Sequence, residues 1–298
     1  MQAPILRLIK YISWALLAAC CLSSSAETLP NFDIVVFNLA NNDDELSIEQ
    51  PQLIAQSKAY ENQPFFSTDD SQLYFTKSDG KQTDIWQWSF SQNRLQSLFN
   101  TEPSEYSPTV IPGLADSISM IRQDKDGTQK LWQFSNKKGF NLLFNSIEPI
   151  GYHAWSQNQV ALFVLGEPST LQITQRGNDG AVVIDKNIGR CLQKRPDFHQ
   201  ISYTVYHDDT KKHELKIYDF NTKSVSSIIE LPSEAQDYTW LSKDVLLSSE
   251  REKLLVYRLN TNQKWVPVKN ISQFKFNQIS RLAVSNKKDK LAVVFENN

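Results

Sequence analysis

Hydrophobic and polar residues alternate along most of the chain in short runs, which is typical of β-strands with one buried face. One run recurs in which an aliphatic residue is followed by an alternating stretch that contains an aromatic residue, as in Asp84-Ile85-Trp86-Gln87-Trp88. The aliphatic positions of this run are Ile34, Ile85, Leu131, Leu171, Leu215 and Leu254, at spacings of 51, 46, 40, 44 and 39 residues. A period of about 40 to 50 residues is the length of one propeller blade.

From the second copy onward, two further strand-like runs precede each recurring run. A fourth run follows it, and Asp, Asn, Ser and Gly occupy the turns. This plan predicts an all-β, six-bladed propeller of four-stranded antiparallel blades. The expected blades cover residues 62–103, 104–149, 150–188, 189–232, 233–271, and 272–298 together with 31–39.

The two ends of the chain complement each other. Residues 281–285 and 290–296 form two strand-like runs without a third, and residues 33–39 are an isolated copy of the third run. We expect the N-terminal strand to join the C-terminal strands and close the ring, which would hide two open sheet edges. A β-sandwich with accidental similarity between its strands is the alternative, and it does not explain the complementary ends.

The first 26 residues resemble a secretory signal peptide. Arg7 and Lys10 precede an almost wholly apolar stretch over residues 12–22, and Ser24-Ser25-Ala26 offers a cleavage site with small residues. A second interpretation stays open, because Leu17-Ala18-Ala19-Cys20 resembles a lipoprotein cleavage motif in which Cys20 would be lipidated. After cleavage at Ala26 only Cys191 remains, so no intramolecular disulfide is expected.

The composition fits a globular protein that does not bind nucleic acid. Removing Arg7 and Lys10 with the leader changes the net charge from −2 to −4, so there is no basic excess to neutralise phosphates. The chain contains only 9 glycines, which predicts turns built on Asp, Asn and Ser instead. We expect residues 27–298 to form a single domain.

Residues 62–76 and 83–86 resemble a PD40 (WD40-like) repeat of the TolB-like propellers. The matching segments are Asn62-Gln63-Pro64, Ser67 to Ser71 and Asp84-Ile85, with Thr68 and Asp70 where the family pattern has proline and glycine. Residues 151–155, 165–168 and 187–190 are similar to a group of exported TolB-like bacterial propellers of unassigned function. The resemblance implies a six-bladed propeller in the periplasm. The extra α/β domain of TolB itself is not expected, because the first strand begins at Asp33.

Alignment of the blades singles out a ring of residues that enter the innermost strands and are expected at the mouth of the central channel. They are Gln63, Tyr106, His153, Arg190, Tyr238 and Arg281. Two arginines in such a ring suit an anionic or carboxylate-bearing ligand. Two other outcomes remain open: Glu61, Glu105 and Asp237 pair with the arginines, or the ring is only polar packing around a water-filled channel.

Other polar groups have simpler interpretations. We interpret Asp124-Lys125-Asp126-Gly127 as a hairpin turn, the cluster of His207, Asp208, Asp209 and His213 as a hairpin tip, and residues 41–45 as a solvated loop. Trp86, Trp88, Trp132, Trp155 and Trp240 are expected to occupy matching positions and pack between blades, with a carbohydrate platform as the alternative. No catalytic motif is found, and neither a metal nor a cofactor is expected.

These features predict a non-enzymatic scaffold that binds a protein or peptide in the bacterial cell envelope. The protein is expected to be periplasmic and monomeric, either soluble or attached to the membrane only through lipidated Cys20. Its expected partner is an envelope protein or peptide and not nucleic acid. Two alternatives are a propeller hydrolase or lactonase, and a module that binds carbohydrate or peptidoglycan.

Overall fold

The structure is a computed structural model that describes residues 30–42, 45–57, 59–114, 116–232, 235–261, 264–269, 274 and 276–297. The expectations for the leader, including cleavage at Ala26 and lipidation of Cys20, lie outside these residues. The regular elements in the described ranges are all β-strands. None of the described segments is a helix long and apolar enough to cross a membrane.

The strands follow one another along the chain with short turns. In the first half they are β1 Phe32–Asn42, β2 Glu45–Ala55, β3 Glu61–Phe66, β4 Gln72–Ser78, β5 Thr83–Ser89, β6 Arg94–Ser97, β7 Ser104–Val110, β8 Ser117–Gln123, β9 Gln129–Ser135, β10 Gly139–Leu142, β11 Ile150–Ser156 and β12 Gln159–Val164. In the second half they are β13 Thr170–Gln175, β14 Val182–Lys186, β15 Ile188–Lys194, β16 Gln200–His207, β17 Lys212–Asp219, β18 Ser224–Glu230, β19 Tyr238–Ser242, β20 Val245–Glu250, β21 Lys253–Arg258, β22 Val266–Pro267, β23 Ile279–Val284 and β24 Lys290–Glu296.

These strands form six four-stranded antiparallel sheets, which are the blades of a propeller. Blades 1 to 5 each use four consecutive strands, beginning at β3, β7, β11, β15 and β19. Blade 6 combines β23 and β24 with β1 and β2. The predicted fold class is therefore confirmed. In every blade the first strand lies nearest the centre, because β3, β7, β11, β15, β19 and β23 contact one another around the ring.

Blade 6 closes the ring as predicted, with one addition. Strand β1 pairs with β24 in antiparallel register, with Val36 opposite Ala292. The sequence pattern did not reveal β2, and the prediction of a solvated loop over residues 41–45 was wrong for Asn41, Asn42 and Glu45, which lie in the β1–β2 hairpin. Strand β2 carries Pro51 and has no regular alternation, which an outermost strand tolerates because only one of its edges is paired.

A hydrophobic cluster fills each interface between neighbouring blades. The largest lies between blades 5 and 6 and includes Phe37, Leu247 and Leu291, all fully buried. The smallest lies between blades 1 and 2, where Ile85, Ile118 and Met120 are its buried members. Since a propeller has no single central core, these interfaces supply the apolar burial that stabilises the ring.

The five tryptophans occupy two different kinds of position, so the expectation of one matching set was wrong. Trp155 and Trp240 lie on the innermost strands β11 and β19, whereas Trp86, Trp88 and Trp132 lie on the third strands β5 and β9. Both innermost indoles donate a hydrogen bond of 2.8 Å to a serine of the preceding blade, Ser119 or Ser202. Trp155 and Trp240 therefore join adjacent blades.

The two polar clusters interpreted as turns are confirmed as turns. Residues 124–128 connect β8 to β9, and residues 208–211 connect β16 to β17. His207 Nε2 lies 2.9 Å from Glu214 Oε2 across the second hairpin. Within the described ranges, no group of three or more His, Cys, Asp or Glu side chains is arranged to hold a metal ion.

Pairs of carboxylates lie at two successive blade interfaces. Glu105 of blade 2 is fully buried beside Thr101, Arg122 and Asp84, and burial raises its pKa to about 7. Asp33 of blade 6 is buried near Glu61 of blade 1, and burial together with the Glu61 charge raises its pKa to about 6. Both acids therefore hold protons in the folded protein at a pH where the unfolded chain has released them.

Each of these two carboxyl groups should make the free energy of unfolding fall as the pH rises from about 5 to about 8, because it keeps its proton in the native state and has released it in the unfolded state. Glu105→Gln keeps a carbonyl acceptor for Thr101 and removes the titrating group. It should therefore reduce this fall by about 1–3 kcal/mol. Urea denaturation of both proteins at the two pH values measures the difference. Equal pH dependence in the variant and the parent protein would contradict this account of Glu105.

Candidate functional site

The six innermost strands surround a cavity of about 620 Å³. The cavity begins at the first half of these strands and extends to the loops that follow them, as shown by its lining residues Thr68, Pro112, Asp197 and Lys288. These loops are the first hairpin of each blade, so we name this side of the ring the first-hairpin face. The loops between the second and third strands, such as residues 124–128, lie on the opposite side.

Arg281 lines the cavity from β23. Its guanidinium Nη1 lies 3.3 Å from Asp237 Oδ2, and its central carbon lies 4.8 Å from the centre of the Tyr152 ring. Arg281 belongs to blade 6 and Tyr152 to blade 3, which are opposite blades in a ring of six. The stacked pair therefore spans the channel. The sequence left open whether Asp237 pairs with one of the two ring arginines. It pairs with Arg281.

Glu61 and Glu105, the other two candidate partners of the ring arginines, pair with other basic residues. Glu61 forms an ion pair with Lys77 of the neighbouring strand β4, and it also accepts a hydrogen bond from Ser57. Glu105 lies 3.3 Å from Arg122 Nε on β8. Both acids lie at the start of an innermost strand and are bound within their own blades, so neither faces Arg190.

Gln63 and His153 line the cavity and also hold blades together. Gln63 Oε1 accepts hydrogen bonds from Thr76 Oγ1 at 2.6 Å and from the backbone N–H of Ser107 at 2.7 Å, which joins blade 1 to blade 2. His153 Nε2 lies 2.7 Å from both Thr109 Oγ1 and Ser119 Oγ. Burial lowers the pKa of His153 to about 3, so its ring is neutral at pH 7.

Tyr106 and Tyr238 are not among the residues that line the cavity. Tyr106 packs against the hydrophobic cluster between blades 2 and 3. Tyr238 is fully buried between blades 4 and 5, and its hydroxyl donates a hydrogen bond of 2.8 Å to Ser202 Oγ. The structure therefore brings four of the six ring residues to one cavity and places the two tyrosines within blade interfaces.

Arg190 is the exposed basic residue of the ring and lines the cavity from β15. No ion-pair partner for it is found in the described part of the chain. Arg190 follows Gly189, whose backbone lies close to β16, the second strand of blade 4. A Cβ at Gly189 would lie 2.2 Å from Thr204 Oγ1, so only glycine fits and the position of Arg190 depends on this close approach.

We expect Gly189→Ala to destabilise the protein by about 1–3 kcal/mol, because the added methyl group forces β15 away from Thr204. Gly180→Ala is the matched control, since its Cβ would meet only Asn178 Oδ1 at 3.7 Å. Thermal unfolding of both variants measures the effect. A Gly189→Ala protein as stable as the control would contradict the close packing of β15 on β16.

Basic residues outnumber acidic residues in the cavity wall. The basic lining residues are Arg190, Lys194, Arg281 and Lys288, and the acidic ones are Asp197 and Asp237. The sequence pattern did not single out Lys194 and Lys288. They lie at the end of β15 and in the loop after β23, away from the strand entrances that form the predicted ring.

Comparison with solved structures identifies the same architecture in other proteins. A protein from Agrobacterium tumefaciens assigned as TolB superimposes with a TM-score of 0.70 at 11% sequence identity, over 91% of this chain and 99% of the other. A chain of a nidogen–laminin complex gives a TM-score of 0.60 at 8% identity, over 89% and 98% of the two chains. An oligogalacturonate lyase in complex with manganese gives a TM-score of 0.56 at 13% identity, over 85% and 82%.

No model of a protein family matches the sequence, and no curated protein matches it either. The PD40 character of the repeats therefore stays a prediction. Sequence identities of 8% to 13% establish a shared fold and nothing finer. The topology and these comparisons together show that this chain has the fold of the TolB-like six-bladed β-propellers.

Proposed function

We propose that this protein is an exported scaffold that binds an acidic segment of a partner protein at the channel cavity of its first-hairpin face. The binding requires no catalysis. A rigid ring of blades holds the cavity in a fixed shape, so a partner does not have to order it on binding. The cell envelope is the proposed compartment, based on the leader-like sequence of residues 1–26.

The observation that carries this proposal is Arg190, which is exposed and has no ion-pair partner among the described residues, in a cavity whose wall is mainly basic. Arg281 is neutralised by Asp237, which leaves Arg190, Lys194 and Lys288 against Asp197. A guanidinium and two ammonium groups around an opening attract carboxylates. The arginine can bind one carboxylate in a bidentate manner, through two parallel hydrogen bonds. The neutral His153 and the amide of Gln63 add polar contacts without repelling an anion.

The comparisons support a role in protein association without deciding the partner. One propeller of similar fold was solved as part of a nidogen–laminin complex, and another is a protein assigned as TolB. Propellers with this fold can therefore serve as rigid surfaces for other proteins. We infer the same use here, with the partner approaching the first-hairpin face.

The proposal is tested by capture from envelope extracts with the mature chain, residues 27–298, as bait. We expect a discrete protein whose recovery falls by about tenfold or more with the Arg190→Gln/Lys288→Gln double variant. Lys125→Gln/Lys253→Gln is the control, because it removes the same charge from second hairpins on the opposite side. Equal recovery of every captured protein by the parent protein and by the Arg190/Lys288 variant would contradict the proposal.

A second candidate function is binding of an acidic oligosaccharide in the same cavity. It is favoured by the basic wall together with the similarity in fold to an oligogalacturonate lyase. Calorimetric titration with trigalacturonate distinguishes it from protein binding. Binding that disappears in Arg190→Gln/Lys288→Gln would favour the oligosaccharide, whereas no binding by the parent protein would exclude it.

A further inference from the structure

A second cavity of about 880 Å³ lies between blades 1 and 2 and shares Thr68, Val110 and Pro112 with the wall of the channel cavity. We name it the blade 1–2 groove. It opens at the interface with the smallest buried cluster. Because few apolar side chains are fully covered there, the rings of Tyr74 and Phe134 and the side chain of Leu98 remain partly exposed along the groove.

Two carboxylates converge on one side chain of this groove. Asp69 lies in the first hairpin of blade 1, and Asp116 lies in the first hairpin of blade 2. Both carboxylates and Tyr74 line the same groove, and burial first, and then the charges of both aspartates, raise the pKa of Tyr74. Hydrogen bonds from Ser67 and Ser71 lower the pKa of Asp69 to about 2, so its carboxylate is charged at pH 7.

The groove and the channel cavity carry opposite charge. The lining of the blade 1–2 groove contains Asp69 and Asp116 but no lysine, arginine or histidine among the described residues. The neighbouring channel cavity is mainly basic. A ligand for the groove must therefore supply a positive charge, and it must also cover the aromatic surface of Tyr74 and Phe134.

We propose that the blade 1–2 groove is a second binding site, which takes a lysine or arginine side chain from an extended, partly apolar segment of a partner protein. The charged end lies between Asp69 and Asp116, and the apolar stem lies against the ring of Tyr74. An apolar residue next to this lysine or arginine in the partner segment covers Phe134 and Leu98. This site is separate from the proposed function of the channel cavity and does not depend on it.

The substitution Asp69→Asn/Asp116→Asn tests this site without removing the turns that carry it. Asp69 Oδ1 accepts three hydrogen bonds from Ser67 and Ser71, and the Oδ1 of asparagine can accept the same bonds. Asp116 has a φ of 57°, which asparagine also adopts readily. A matched control is Asp124→Asn/Asp126→Asn, which makes the same change in charge in the β8–β9 hairpin on the opposite side.

Fluorescence anisotropy with a labelled, alternating leucine–lysine hexapeptide measures the binding at low salt. We expect the groove variant to weaken binding by about tenfold or more relative to the parent protein and to the control variant. Arg190→Gln/Lys288→Gln should not weaken it, whereas that variant should weaken binding of the matching leucine–glutamate peptide. The outcome for the glutamate peptide thus reports on the channel cavity alone.

Two results would overturn the proposal of a groove site. One is equal affinity of the groove variant and the β8–β9 control for the lysine peptide, since this would show that only overall charge matters. The other is no measurable binding of the lysine peptide to the parent protein. The melting temperature of each variant is measured alongside, so that a loss of folding is recognised as such.

Discussion

Replacement of Arg281 by methionine should lower the free energy of unfolding by about 3–5 kcal/mol at pH 8, because it leaves Asp237 buried without its partner. Methionine keeps much of the side-chain volume, so the loss comes mainly from the charge. The stacking on Tyr152 across the channel is lost as well. Burial already raises the pKa of Asp237, and removal of the arginine raises it further. The variant should therefore recover stability as the pH is lowered, because Asp237 then takes up a proton.

Two controls separate this effect from a general loss of positive charge. Arg190→Gln removes an exposed arginine from the same cavity and should change stability by less than about 0.5 kcal/mol. The double variant Asp237→Asn/Arg281→Gln replaces the ion pair with two amides and should be more stable than Arg281→Met at pH 8. Urea denaturation measures all four proteins. An Arg281→Met protein that is as stable as Arg190→Gln would contradict the buried pair.

Replacement of Phe37 by alanine should cost about 3–5 kcal/mol, because Phe37 is fully buried at the centre of the closing blade. Its ring contacts Phe274 edge-on, with ring centres 4.7 Å apart. It lies on β1, the strand that joins the N-terminus to β24. We therefore expect the variant to weaken the closure between blades 5 and 6 and to raise the hydrogen-exchange rate of β1 and β24 more than that of blade 3.

Leu53→Ala is the matched control for Phe37→Ala. Leu53 belongs to β2 of the same blade and is 47% exposed, so its truncation should change stability by less than about 0.5 kcal/mol. Chemical denaturation with hydrogen exchange gives both the size and the location of the effect. Exchange that rises equally in all six blades would contradict a local role of Phe37 in ring closure.

The sequence alone predicts the fold because each blade repeats the same local pattern. The recurring run around Ile85 or Leu131 becomes the third strand of its blade, and the incomplete ends predict the closure by β1. Strand β2 is not predicted because the exposed residues in its middle separate its two buried ends, Leu46 with Ile48 and Ile54 with Ala55, and interrupt the alternation. Pro51 and the positive φ at Gln50 fit such a strand but resemble a loop in the sequence.

The candidate site is predicted less well because it depends on the registers of several strands at once. The innermost strands of blades 1 and 2 contain irregularities, between Asn62 and Phe65 and between Tyr106 and Thr109. In such an irregularity an added residue turns the side chains that follow it toward the other face. Gln63 lies within the irregularity of β3 and reaches the cavity. Tyr106 is the last regularly paired residue before the irregularity of β7 and packs into a blade interface, so Ser107 and not Tyr106 corresponds to Gln63.

The contact between Arg281 and Tyr152 cannot be predicted from local pattern. The two residues are separated by about half of the ring, and they meet only because six blades of this size bring opposite strands within reach. The opposite charges of the channel cavity and the blade 1–2 groove arise in a similar way. Each site collects residues from hairpins that are distant in sequence, such as those of Asp69 and Asp116.

Photo-crosslinking in cells tests most directly that the first-hairpin face is the binding surface. The photoreactive residue p-benzoylphenylalanine is placed in the exported protein either at Phe65, which is partly exposed and lines the channel cavity, or at Asp126 on the opposite side. We expect a discrete crosslinked product from the first position, and we expect it to be lost when Arg190→Gln/Lys288→Gln is added. Products of equal yield from both positions, or none from the first, would contradict the account.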